Sequence, residues 1–226
     1  MLQREWCTAM GRSYATPGEG LSNASSRSVI LAGYTFLVVD SSLLLTGLDL
    51  IRSVVQSSRW SIIVPLAAIS ELDDLVQSGE PSSKQMAQTA TEYLDTIMKA
   101  GTKSIKILTS KGNYLTNLMI RSEDIDYQHA PGKTKAAKYE SKMEELLLTA
   151  TKWQADHFID RSALLGVELD HQARSLAAKS CLLTLNADLR QRASYERITI
   201  ANNAEIAEIW RDISPILEES SNRDKG

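Results

Sequence analysis

The stretch 36–42, FLVVDSS, decides the fold because four apolar residues lead directly into a carboxylate. A short apolar run of this kind is typical of a buried β-strand. A carboxylate buried at the end of such a strand costs roughly several kcal/mol unless it is paired or reaches solvent. We therefore predict that Asp40 lies at a strand end, where it either meets solvent or faces a positive group.

Apolar strand-like runs alternate with segments of helical spacing on both sides of this stretch. The predicted strands are 34–40, 61–65, 104–110, 179–186 and 198–201. The predicted helices are 42–58, 67–77, 82–101, 138–158, 187–194 and 204–217. Strands that alternate with helices indicate βαβ units. The sequence thus predicts an α/β fold with a mostly parallel five-stranded sheet and helices on both faces.

Length and composition are typical of one domain with polar ends. The chain has 226 residues, is 43% hydrophobic and carries a net charge of −3. Residues 1–33 are rich in Ser, Gly and Ala and are predicted to form a disordered arm, 34–217 the domain, and 218–226 a flexible tail. No apolar run reaches the ~18–20 residues of a membrane span, and the start does not resemble a secretory signal. With only two distant cysteines, we expect a cytoplasmic protein without a membrane role, with the nucleus as a second compartment.

Acidic side chains follow several of the predicted strands. Asp40 ends the first strand, and Glu71 lies in the helix after the second. Glu144 and Glu145 precede the apolar run LLL, and the fourth strand ends in TLN, at Thr184 to Asn186. In an open parallel sheet, ligands bind at the carboxyl ends of the strands. These groups can therefore meet at one edge of the sheet.

Carboxylate oxygens gathered at one edge suit Mg²⁺ or Mn²⁺, which are hard cations with oxygen ligands. Such an ion can orient a water for attack on a phosphodiester. Ser41 and Thr184 are the predicted supporting residues for this site. The alternative is a Rossmann-like domain whose acidic residues only cap helices.

A basic stretch accompanies the long polar segment 111–137. Positive charge concentrates between residues 101 and 142. The segment is either a solvated loop or a rim that contacts phosphates. For the second interpretation, the candidate RNA-binding residues are Lys103, Lys111, Arg121, Lys133 and Lys135.

The order of these motifs resembles that of a PIN domain. The motifs are FLVVDSS, IIVPLAAISELDDL, LTSKGNYLTNLMIRSEDI, MEELLLTA and LLTLNADLR. The third is most similar to the PIN domain of the nonsense-mediated mRNA decay endonuclease of the SMG/EST family, and the short chain is similar to stand-alone fungal decay-factor PIN proteins. The resemblance spans roughly residues 34–202.

The resemblance implies a nuclease that holds divalent metal with about four acids and cuts single-stranded RNA. It places Asp40 and Glu71 at the first two acids, and Glu144 at the third, where the decay endonuclease has Asp. The fourth position is occupied here by Asn186. The resemblance thus assigns Asp40, Glu71, Glu144 and Asn186 as catalytic residues, and the first three as Mg²⁺ or Mn²⁺ ligands.

Two functions follow from this partly altered site. One is an endoribonuclease of nonsense-mediated mRNA decay that acts on single-stranded RNA. The other is a catalytically inactive PIN domain that binds RNA, or that recruits the up-frameshift RNA helicase and other mRNA decay factors. Asn186 and the separate arm favour the second function, and the three retained carboxylates favour the first.

Overall fold

The computed structural model describes residues 28–119 and 135–211. Its centre is a five-stranded sheet in the order β4-β3-β2-β1-β5, in which only β4 is antiparallel to its neighbour. The strands are β1 Phe36–Val39, β2 Ser61–Pro65, β3 Ile105–Leu108, β4 Tyr114–Leu115 and β5 Ser180–Leu183. The predicted α/β class, with a mostly parallel five-stranded sheet, is confirmed.

Helices connect the strands and cover the sheet. They are α1 Ser41–Thr46, α2 Leu48–Ser57, α3 Leu66–Ser78, α4 Pro81–Lys99, α5 Lys135–Asp156, α6 His171–Leu176 and α7 Ala187–Tyr195. A 3₁₀ turn spans Ser162–Leu165, and residues 203–211 are helical. All four residues of β1 are at most 4% exposed. Because successive strand side chains point to opposite faces, both faces of β1 must be covered.

The strand order contains one change of direction. From β1 the chain adds β2, β3 and β4 outward on one side, and it then returns through α5 to place β5 on the other side of β1. Ligand crevices of open α/β sheets form at such a switch point, beyond the carboxyl ends of the strands. The switch point here lies between the ends of β1 and β5, where Asp40 and Thr184 stand.

Two predicted elements are wrong in detail. The helix over 42–58 is divided at Gly47, which ends α1 with its N–H bonded to the Leu43 carbonyl at 2.7 Å. The predicted strand 198–201 forms only a single bridge between Ile200 and Leu182. The fifth strand is instead Tyr114–Leu115, inside a segment whose polar composition indicates a loop.

The first described residues are anchored to the domain. Val29 forms a parallel bridge with Ala177, and the Val29 N–H donates to the Leu176 carbonyl at 2.9 Å. Ile30 packs against the core. Backbone pairing with the domain therefore begins upstream of the predicted boundary at residue 34. The rest of the predicted arm (1–27) and the tail (218–226) lie outside the described residues.

Candidate active site at the switch point

Asp40 lies at the switch point and is 2% exposed. It caps α1, since its Oδ1 accepts from the Leu43 N–H at 3.0 Å. The Ser42 hydroxyl reaches both carboxylate oxygens at 2.7–2.8 Å, and the Thr184 hydroxyl donates to Oδ2 at 2.5 Å. Burial raises the pKa of Asp40, and these hydrogen bonds oppose the rise. Asp40 therefore ends the first strand as predicted, but among the described residues it contacts hydroxyl and amide donors instead of reaching solvent or bonding a cation.

Glu71 lies in the second turn of α3, close to Asp40. Its Oε2 accepts from the Ser41 hydroxyl at 2.5 Å. Burial, together with the negative charges of Asp40 and Glu144, raises the pKa of Glu71 to about 7. A carboxylate surrounded by like charges in a desolvated crevice is typical of a functional site. The three predicted acids are therefore near enough to one another to interact electrostatically.

Glu144 reaches this pocket from α5 and is paired with a cation. Its Oε2 lies 3.2 Å from Nη1 of Arg192 in α7. The neighbouring Glu145 instead pairs with Lys142 at 3.0 Å and has a 52% exposed side chain. Of the two adjacent glutamates, Glu144 is thus the one on the pocket side.

Asn186 uses its side-chain oxygen to cap α7. That oxygen accepts from the N–H groups of Asp188 and Leu189, at 2.9 and 3.1 Å. The Asn186 N–H in turn donates to Thr184 Oγ1 at 3.0 Å, which links it to Asp40 through one hydroxyl. Asp188 itself is exposed on the first turn of α7. Asn186 therefore lies beside the acids, but as a helix cap.

Sequence reasoning missed two arginines of α7 that bring positive charge to the pocket. Arg190 is half-buried, bonds the carbonyls of Thr184 and Ala201 at 2.9 and 3.0 Å, and interacts electrostatically with Asp40. Arg192 holds Glu144 and also the Ser141 carbonyl at 3.0 Å. Their position could have been predicted from the sequence, because LNADLRQR places both arginines in the helix that follows Asn186. The pocket thus mixes acids with internal cations.

The donor set fits a hard divalent cation in chemistry, since every candidate ligand is an oxygen. The raised pKa values of Asp40 and Glu71 also mean that added positive charge would be favourable there. Within 28–119 and 135–211, however, no three His, Cys, Asp or Glu side chains are gathered closely enough to hold an ion together. Glu144 would have to leave Arg192 to join the other two, so the ligand set stays a prediction.

The predicted basic rim is only partly described. Lys103 precedes β3 and Lys111 follows it, and both are exposed. They therefore lie at opposite ends of β3, and only Lys111 is at the carboxyl ends of the strands, where Asp40 also lies. Arg121 and Lys133 lie outside the described residues, as does the side chain of Lys135. The structure identifies no helix in its described ranges that is long and apolar enough to cross a membrane.

Comparison with known proteins identifies the family. A PIN-domain family profile matches residues 37–203, and the chain belongs to the PIN-domain family. Telomerase-binding protein EST1A of Danio rerio is 28% identical over 104 residues, which cover 41% of this chain and 7% of that protein. The match thus spans a small part of that relative's length.

Two solved structures match large parts of the chain, with low TM-scores. The PIN domain of human SMG5 is 17% identical, with 78% of this chain and 97% of that chain covered and a TM-score of 0.36. A domain of a functionally unknown protein from Methanocaldococcus jannaschii is 15% identical, with 74% and 89% covered and a TM-score of 0.39. The family profile confirms the predicted PIN domain, and an EST1A protein is among the relatives, in agreement with the SMG/EST resemblance.

Proposed function

We propose that this chain is a PIN-domain protein of RNA metabolism that binds single-stranded RNA at the switch-point pocket and cleaves it weakly, with Mg²⁺ or Mn²⁺. The observation that supports the proposal is the arrangement of Asp40 and Glu71 at the switch point, where the Thr184 and Ser41 hydroxyls hold them at 2.5 Å and the charge of Glu144 acts on Glu71. Nonsense-mediated mRNA decay is the process in which we expect it to act. We place it in the cytoplasm, with the nucleus as a second compartment.

Each pocket residue has a proposed role. Asp40 and Glu71 would hold the ion, and Glu144 would have to leave Arg192 to join them. Ser41 and Thr184 orient the two nearer carboxylates through the hydroxyl bonds described above. A bound divalent ion would supply charge neutralisation and an activated water for phosphodiester hydrolysis. Of the two described rim lysines, Lys111 is the one at this edge, and we expect it to meet RNA phosphates.

Weak rather than strong cleavage follows from the departures at two positions. Asn186 lacks the negative charge of an acid, and its side-chain oxygen is engaged at the start of α7. Glu144 is longer by one methylene than Asp and is held by Arg192. Changes around metal ligands typically cost ~10–100-fold in metal affinity or activity. We therefore expect activity well below that of a PIN domain with four acids.

Cleavage of a labelled single-stranded RNA in Mn²⁺ tests the proposal. The wild-type chain should cut slowly, and Asp40→Asn and Glu71→Gln should abolish cutting. Glu145→Gln is the matched control, because Glu145 faces solvent and pairs only with Lys142 among the described residues. Equal cutting by wild type and Asp40→Asn would identify a contaminating nuclease and refute the activity.

A second function is favoured by one contact. The Arg192–Glu144 ion pair gives the pocket an internal cation in place of a metal, as expected of a PIN domain that serves as a recruitment module. Its partner would be the up-frameshift RNA helicase or another decay factor. Capture of that helicase should then survive Asp40→Asn and be lost when residues 1–27 are removed. A lack of enrichment of any decay factor would contradict this function.

A further inference from the structure

A stacked aromatic pair lies on α5, away from the acidic pocket. The rings of Trp153 and His157 are 4.2 Å apart between centroids and only 10° from parallel. Residues four positions apart lie on the same face of a helix, which allows this stack. The His157 Nδ1 lies 3.0 Å from the Trp153 carbonyl, which can only accept, so an N–H there fixes the imidazole plane. One face of the exposed His157 ring is covered by Trp153, and its other face extends the stack.

The indole is held rigidly from its other sides. Tyr114 meets it edge-on at 6.1 Å and 80°, and the Tyr114 hydroxyl donates to Gln154 Oε1 at 2.7 Å. Gly112 lies so close that a Cβ there would stand 2.1 Å from the indole. Tyr114 is nevertheless 40% exposed. Three aromatic rings are therefore fixed in place and partly open to solvent, which lowers the entropy cost of stacking a ligand on them.

Two cations adjoin these rings. The Lys106 Nζ lies 4.9 Å from the centre of the Tyr114 ring. Burial and the nearby charge of Arg161 lower the pKa of Lys106, while burial raises the pKa of Tyr114 and Arg161 opposes that rise. Arg161 also lies over the Phe36 ring at 5.7 Å. Within the described ranges neither cation has a carboxylate partner, so an anion placed between them would relieve their mutual repulsion.

We propose that Lys106, Tyr114, Trp153, His157 and Arg161 form an aromatic–basic surface that binds single-stranded RNA. One base stacks on the outer face of His157, and a phosphate lies against Lys106 and Arg161. Stacking platforms flanked by cations bind single strands with little sequence preference, because every base has a π-face. None of these five residues is among the RNA-binding candidates named from sequence, although Lys106 and Tyr114 lie within the basic stretch 101–142.

This inference rests on the proposed RNA function and adds a second contact region for the strand. Trp153 follows Glu144 by nine positions in α5, a rise of about 13 Å and about two and a half turns, so the two side chains project from opposite sides of the helix. RNA that also passes the acidic pocket would have to cross α5 to reach the aromatic–basic surface. Binding there should be independent of metal and of the acids.

Fluorescence anisotropy of the full chain with a labelled oligouridine RNA tests the surface. His157→Ala should weaken binding at least about fivefold, the lower end of base–aromatic stacking, and His157→Phe should restore it because a ring is retained. The double variant Lys106→Gln and Arg161→Gln should weaken binding. The slope of the logarithm of the binding constant against the logarithm of salt concentration should become less steep by about 1.4. Wild-type binding should persist in EDTA, since the aromatic–basic surface needs no divalent ion.

Matched controls use exposed residues elsewhere on the domain. His171→Ala changes an exposed histidine of α6, and the pair Lys84→Gln and Lys99→Gln removes two exposed cations of α4. If the wild type binds RNA, and His157→Ala and the double cation variant weaken binding no more than these controls do, the aromatic–basic surface is refuted. The proposed function would then still stand. No RNA binding by wild type would overturn both. Tighter binding of the matching DNA strand would overturn RNA as the occupant.

Discussion

The Glu71 carboxyl is set to titrate near neutral pH, which makes stability depend on pH. Its pKa rises from 4.5 in the unfolded chain to about 7 in the folded one. The folded protein thus binds more protons between these values, so the contribution of Glu71 to stability is fully present below pH 4.5 and is lost as pH rises through 7. Between pH 5.5 and 8 we expect Tm to fall, with a loss of at most about 3 kcal/mol in the unfolding free energy.

Glu71→Gln provides the check on this pH dependence. Because an amide does not titrate, thermal melts of the variant should show a much smaller loss between the two pH values. Glu145→Gln, at the exposed neighbour of Glu144, should keep the wild-type slope. A slope in Glu71→Gln equal to that of wild type would exclude Glu71 as its source.

Arg192 is the second residue with a measurable consequence, because it competes with any metal for Glu144. Arg192→Gln should release that carboxylate and tighten Mn²⁺ binding by about fivefold or more, measured by titration calorimetry. Arg197→Gln, at an exposed arginine of the same segment, is the control. Weaker Mn²⁺ binding in Arg192→Gln would show that Arg192 supports the site rather than occupies it.

Sequence reasoning located the acids better than their partners. Asp40 and Glu71 could be predicted because each follows a strand, and the carboxyl ends of parallel strands share one edge. The ion pair of Glu144 with Arg192 could not, because it depends on the direction of two long side chains from different helices. The segment NADL is typical of a helix start, so the capping role of Asn186 could also have been predicted. The family resemblance pointed only to the missing negative charge at this position.

At the scale of elements, the β3–β4 turn depends on Gly112. Its φ of +85° is unfavourable for other residues, and an added Cβ would stand 2.1 Å from the Trp153 ring. Gly112→Ala should therefore cost about 2–3 kcal/mol in urea unfolding. Gly101→Ala is the matched control, since its φ is +69° but nothing lies within 4 Å of the new Cβ. Equal losses in the two variants would mean that Trp153 moves aside freely.

The contact between the carboxyl ends of β1 and β5 depends on the Thr184 hydroxyl, which donates to Asp40 and accepts from the Asn186 N–H. Thr184→Val has a similar shape but leaves both groups without this partner, so we expect a loss of about 1–3 kcal/mol in urea unfolding. Thr184→Ser retains the hydroxyl and should recover most of it. Equal stability of the Val and Ser variants would show that the Thr184 hydroxyl contributes nothing to the free energy of unfolding.

Element prediction succeeded where apolar runs were long and failed where pairing decides the structure. β1, β2, β3 and β5 are apolar runs and were expected. β4 has two residues, Tyr114 and Leu115, among polar neighbours, and it exists because it pairs with Leu108 and Ile107. Residues 198–201 have a strand-like composition, yet they bridge β5 at a single position. Amino-acid composition therefore does not indicate which strand-like segments pair with a neighbouring strand.

At the scale of the whole molecule, a bound ion should stabilise the fold. Ligands that bind only the folded state raise its stability by mass action, and Mn²⁺ at about five times its dissociation constant would add about 1 kcal/mol. For a chain of this size that is a Tm increase of about 2–4 °C. Calorimetry of wild type and of the combined Asp40→Asn and Glu71→Gln variant in Mn²⁺ measures it. An equal increase in the variant would place the ion elsewhere.

The bond between Thr184 and Asp40 joins positions 144 residues apart. During synthesis at ~5–20 residues per second, roughly 7–30 s pass between the appearance of these two side chains. Until then the nascent chain has its carboxylates but no crevice to hold them. A transcript that ended before codon 184 would encode all three acids and yet yield a protein without the pocket.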